Sequence, residues 1–153
     1  MIYTTTDVLC CFPGIGRTTF STEQNKGGST FCLDMDYDGT SLKAFIEQVK
    51  AERARKAHRY ILVPMDAEIL QALRESLVPH LVIVPNPDEF DVWAKRWLHG
   101  GSNAGTVIAR RTRWREIYNV CEKEPCVIRL LSGDWLGNIL EQTRASAEDG
   151  KDV

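Results

Sequence analysis

Between Cys11 and Thr18 the chain reads Cys-Phe-Pro-Gly-Ile-Gly-Arg-Thr. A loop of this kind can bind phosphate. Glycines let successive backbone N–H groups gather around phosphate oxygens, a cation meets the terminal phosphates, and a Ser or Thr hydroxyl at the start of a helix holds Mg²⁺. Gly14 and Gly16 supply the permissive positions, with Pro13 and Ile15 completing the loop. Thr18 is the candidate Mg²⁺ ligand, and Thr19 stands beside it. Two positions depart from the usual pattern. Cys11 occupies the place of the first glycine, and Arg17 replaces the lysine. Arginine keeps the charge and can clamp phosphate through two donors, but its planar fork is bulkier than an ammonium group. The competing reading is a strand–turn–helix junction that is merely rich in glycine.

The elements that must position this loop follow from the apolar pattern. Val8 to Phe12 reads as a buried strand, stopped by Pro13-Gly14. Thr18 to Gln24 makes a short helix, broken at Lys26-Gly27-Gly28, and Thr30 to Leu33 a second strand. Leu42, Phe45, Ile46 and Val49 recur at helical spacing behind a Thr40 or Ser41 cap, and the charges from Glu52 to Lys56 form a solvated face. Tyr60 to Val63 is a third strand, followed by a helix capped by Asp66 with Ile69, Leu70, Leu73 and Leu77 apolar. Leu81 to Val84 is a fourth strand, apolar enough to be covered on both faces. Asn86-Pro87-Asp88-Glu89 signals a helix start, with Phe90, Trp93 and Trp97 inward and Gly100-Gly101 as its end. A further helix over Thr106 to Glu122 turns Val107, Trp114, Ile117, Tyr118 and Cys121 inward. Val127 to Leu131 is a fifth strand, Trp135 to Gln142 a closing helix, and Arg144 to Val153 a disordered tail behind a single domain over 1–143. This alternation predicts an α/β fold with a five-stranded, mostly parallel sheet flanked by helices, and a ligand site at the carboxyl ends of the strands.

Composition narrows the function classes. With 153 residues and a formal charge of −2, acids and bases interspersed, bulk electrostatics favour neither nucleic acid nor a membrane surface. No apolar run reaches the ~18 residues of a membrane span. Five cysteines without a Cys-x-x-Cys pair fit a reduced, cytoplasmic protein. His58, His80 and His99 show no ligand spacing and take no role, and the four tryptophans read as core.

The loop is followed by Leu33-Asp34-Met35-Asp36, by a strand ending near Asp66, by Val84-Pro85, by Trp93 to Trp97 with Arg96 among them, and by Trp135. In that order, over roughly residues 8–140, the chain resembles small P-loop proteins common in phages and bacteria and described as nucleotide- or adenylate-kinase-like. The resemblance implies a three-layer P-loop NTPase fold and transfer of a phosphoryl group from ATP to a nucleotide or another small acceptor. Thr18 would then hold Mg²⁺, and Arg17 would take the lysine's role. Asp34 and Asp36 would lie on the acceptor or metal side, with Asp36 orienting the attacking group. Arg96 would be the lid arginine that neutralises the transferring phosphoryl, and Arg110 and Arg111 would supply further cations to the substrate. The family tends to carry a histidine where Asp66 stands, an arginine where Leu70 stands, and Arg-Gly where this chain has Gly100-Gly101. Those losses leave two alternatives open: a catalytically impaired P-loop module serving as a subunit of a larger, phage-type assembly, and a P-loop hydrolase. The expected partners are a nucleotide and either a protein subunit or a second copy. The expected place is the cytoplasm, a host's if the protein is phage-encoded.

Overall fold

A computed structural model describes residues 6–28, 31–121, 124, 127–130 and 136. The chain forms an α/β fold, a parallel sheet flanked by helices. In order, the elements are β1 (Val8–Cys11), α1 (Arg17–Gln24), β2 (Cys32–Asp34), α2 (Leu42–Arg55), β3 (Tyr60–Pro64), α3 (Ala67–Glu75), β4 (His80–Pro85), α4 (Phe90–His99), α5 (Ala104–Cys121) and β5 (Val127–Leu130). The sheet runs β2-β3-β1-β4-β5, every neighbouring pair parallel. β1, the first half of β3 and most of β4 are buried throughout, as a parallel strand covered on both faces must be.

The topology decides where a ligand can sit. From β1 the chain travels outward through α1 to the edge strand β2, whereas from β4 it travels through α4 and α5 to β5 on the other side. Neighbouring strands whose connections leave in opposite directions open a crevice at their carboxyl ends. Here that crevice lies between the loop after β1 and the turn into α4.

Local chemistry sets the element ends. Ser41 caps α2, its Oγ accepting from Ala44 N–H at 3.2 Å, and Asp66 caps α3 by accepting from Glu68 N–H at 2.8 Å. Two sequence expectations need correction. The turn from Pro87 to Glu89 is 3₁₀, so α4 starts only at Phe90, and Phe90 is half-buried. Leu77 is not on the apolar face of α3. That helix stops at Glu75, and Leu77 takes a left-handed φ of 56°, which leaves its side chain 87 % exposed while Val78 N–H closes the turn on Leu73 O. The expected break after α1 is present: the helix stops at Gln24, and Lys26–Gly28 forms a separate 3₁₀ turn with Gly27 at a non-helical φ of 74°. Most of the closing helix from Trp135 to Gln142, the tail from Arg144, and Cys126 lie outside the described residues, as do the side chains of Ile117 and Cys121.

Leu70, where the resembled family tends to carry arginine, is fully buried on the apolar face of α3. A guanidinium there would be desolvated without a partner. Leu70→Arg is expected to cost more than about 3 kcal/mol, read as a collapse of the urea midpoint. A midpoint within experimental error of the parent would show that this face of α3 is open.

Candidate phosphate-binding site

β1 ends at Cys11, and the chain leaves the sheet through Phe12, whose N–H still donates to Ile83 O at 3.0 Å. Gly14 (φ 86°) and Gly16 (φ 96°) are both left-handed, and Ile15 between them buries its side chain completely. The loop is therefore anchored at its middle by an apolar side chain and turned at either end by glycine.

Its backbone polar groups are split unevenly. Gly14 O accepts from the Trp97 indole Nε1 at 2.8 Å. Ile15 O accepts from Leu136 N–H at 3.0 Å, and Gly16 O from Phe20 N–H at 2.9 Å. The six N–H groups from Gly14 to Thr19 find no acceptor among the described residues, and no side chain caps α1. Such a run of N–H groups at a helix start, free of acids in the first turn, attracts anions.

Apart from Ile15, these residues border a cavity of about 420 Å³ between the loop and α4, at the carboxyl ends of β1 and β3. Across from the loop stand Arg96 and Trp97 of α4, Gly100 and Ser102 of the turn that follows, and Arg110 of α5, with Pro64 at the end of β3. Three guanidinium-bearing side chains, Arg17, Arg96 and Arg110, thus line one cavity, and no carboxylate among the described residues lines it. An aromatic cluster holds this wall in place. Phe12 stacks on Trp97 (6.3 Å, 16°) and meets Trp114 edge-on (5.4 Å, 81°), while Phe90 meets Trp114 at 4.9 Å. Each such pair contributes about 0.5–1.5 kcal/mol beyond its buried area.

The arginines differ in how they are held. Arg17 Nε lies 3.2 Å from Asp34 Oδ1 and Nη2 2.9 Å from Asp36 Oδ1, while Nη1 is buried without a hydrogen-bond partner. Asp34 and Asp36 therefore act on the cavity through Arg17 and do not line it. Burial raises the Asp34 carboxyl above its ordinary value; Arg17 opposes this and Asp36 adds to it. Arg110 lies over the Trp97 ring at 4.8 Å and reaches Ser102 Oγ at 3.5 Å, and burial lowers its affinity for its proton. Arg96 lies over Trp93 at 4.2 Å. Arg111, its neighbour's equal in sequence, turns to Phe90 at 5.1 Å and does not line the cavity. Thr18 and Thr19 line it with exposed side chains. Cys11 is buried, its thiol pushed up to about 12 by desolvation, so it fills space and offers no nucleophile. No group of three or more His, Cys, Asp or Glu gathers as a metal site among the described residues.

The structure thus brings together Pro13, Gly14, Gly16, Arg17, Thr18, Thr19, Arg96 and Arg110, with Ile15 buried behind them and Asp34 and Asp36 attached through Arg17. Trp97 and Ser102 belong to the same wall although the sequence marks Trp97 only as core and Ser102 not at all. No protein-family model matches the chain, and no curated protein sequence matches it. Among the described residues no helix is long and apolar enough to cross a membrane.

Two outcomes test this geometry. A Cβ at Gly14 would fall 2.4 Å from Trp97 Nε1, at a φ of 86° that alanine resists. Trp97 is 3 % exposed and cannot swing aside. Gly14→Ala is expected to cost at least about 2 kcal/mol by urea denaturation; an unchanged midpoint would show that the loop is not held as described. Arg17→Ala should raise the Asp34 carboxyl further, as read by carboxyl-carbon NMR titration. Asp34 holds its proton more tightly folded than unfolded, so its ionisation costs stability above its folded pKa. That cost is relieved as pH falls through that pKa, and it grows in Arg17→Ala.

Proposed function

We propose that this protein is a P-loop phosphotransferase that binds ATP with Mg²⁺ and transfers a phosphoryl group to a nucleotide or another small acceptor. The observation that carries the reading is the run of six N–H groups, Gly14 to Thr19, bordering a cavity lined by three arginines at the crevice of a parallel sheet. The fold is then of the three-layer P-loop NTPase kind.

The residues fit a polyphosphate. The buried Nη1 of Arg17 is a donor still without a partner, and the glycine backbone at Gly14 and Gly16 leaves no side chain in the way. The fit to Mg²⁺ is narrower: the exposed Thr18 hydroxyl is the ligand this loop offers to an ion that arrives on the nucleotide. ATP would supply the phosphoryl group, and Mg²⁺ would neutralise charge on it. The chain's own part is positioning and charge compensation. Loop N–H groups orient the phosphate chain, and Arg96 and Arg110 face it from α4 and α5. Asp34 and Asp36 fix the Arg17 fork, and Asp36, exposed at the rim, is placed to orient an acceptor hydroxyl or phosphate. Buried free thiols at Cys10, Cys11 and Cys32 suit a reducing compartment such as the cytoplasm.

A second reading, a nucleotide-binding module without turnover, is favoured by one specific observation. Arg17 already spends two of its nitrogens on carboxylates, which offsets the charge it can offer a phosphate.

A thermal-shift panel of nucleotides with and without Mg²⁺ tests the shared claim. Mg-ATP at one hundred times its Kd contributes about 2.7 kcal/mol of apparent stability. Arg110→Ala and Arg17→Ala should weaken that binding tenfold or more. A flat panel for the parent protein would end both readings. With binding established, ADP formed only when an acceptor is present supports the transferase, phosphate release without acceptor the hydrolase, and neither the module.

A further inference from the structure

The geometry points to Trp97 as the positioning residue of the phosphate loop, a role that rests on the phosphate-binding reading of the cavity. Trp97 sits on α4, 83 positions from Gly14, yet its indole N–H donates to Gly14 O at 2.8 Å. Gly14 lies ahead of α1 at a left-handed φ of 86°, and the indole bond fixes the orientation of the peptide that joins it to Ile15. The Ile15 N–H of that planar peptide points away from the oxygen, so the indole sets the direction of one of the loop donors that have no acceptor among the described residues. The same side chain works from its ring face as well. Arg110 lies 4.8 Å over it, so one tryptophan orients both a loop peptide and a cavity cation. Neither contact can relax easily. Trp97 is 3 % exposed and stacked on Phe12, and any Cβ at Gly14 would collide with it.

A buried tryptophan of purely packing value needs none of this. Leu73, fully buried on α3, supplies the comparison: it does not line the cavity. Trp97→Phe keeps a ring against Phe12 and Phe90 and removes only the N–H and the wider face, whereas Leu73→Val is a packing change on a different helix.

The test compares both variants with the parent protein in two measurements. Backbone amide NMR of the ligand-free protein should show Gly14 to Thr19 shifted and exchanging faster with solvent in Trp97→Phe, and unmoved in Leu73→Val. Titration with inorganic pyrophosphate, and with Mg-ATP, should give a Kd raised about tenfold in Trp97→Phe, the cost of one lost buried hydrogen bond. In Leu73→Val the Kd should stay within about twofold. If Trp97→Phe does not fold, the parent decides alone: its Trp97 indole N–H should be protected from exchange and should shift when pyrophosphate is added. Parent binding with Trp97→Phe unchanged, with both variants equally weakened, or with an indole N–H that ignores the ligand overturns the positioning role and leaves the phosphate site standing. A parent protein that binds neither pyrophosphate nor Mg-ATP overturns both.

Discussion

The carbonyl oxygens of Gly14 and Ile15 are committed to partners from outside α1, one to the Trp97 indole and the other to Leu136 N–H. These two bonds fix the orientation of the loop peptides just ahead of the Gly16 N-cap. The first-turn donors of α1 have no intrahelical acceptor and no side-chain cap, and the left-handed glycines keep side chains away from them. The rest of the structure can be read as what this arrangement requires. Ile15 must be buried to hold the middle of the loop, β1 must be central so that the loop opens on the crevice, and α4 must be pressed against Phe12 so that its indole reaches Gly14.

Charge around the loop is arranged in two tiers. Arg17 is neutralised in part by Asp34 and Asp36, and burial makes the inner of these carboxylates reluctant to ionise. Arg96 and Arg110 are held over tryptophan faces, which fix a guanidinium without compensating its full charge. The net positive field at the cavity therefore comes more from α4 and α5 than from the loop's own cation. That distribution differs from a loop carrying lysine, whose point charge is free to follow the terminal phosphate. It also explains how the chain can lack cations at Leu70 and Gly100 and still present three arginines to one cavity.

Much of this was legible in the sequence. The alternation of strands and helices, the Ser41 and Asp66 caps, and the glycine turn after β1 all rest on local patterns that tertiary contacts did not override. What was hidden has physical causes. Arg110 and Arg111 lie three and four residues beyond Val107 and four and three before Trp114, so helical spacing admits either at the cavity. Only packing selects Arg110, with Arg111 drawn to Phe90. Trp97 looked like core because it is core by burial, and its second function depends on a partner far away in sequence. Leu77 misled because apolar periodicity carries no sign of the left-handed turn that expels it.

The most direct test of the account is a titration of the uniformly ¹⁵N-labelled protein with inorganic pyrophosphate, following each backbone amide. The account predicts saturable shifts concentrated on Gly14 to Thr19, with smaller ones at Arg96, Ser102 and Arg110. Shifts that do not saturate, or that centre on residues remote from the loop, would contradict it.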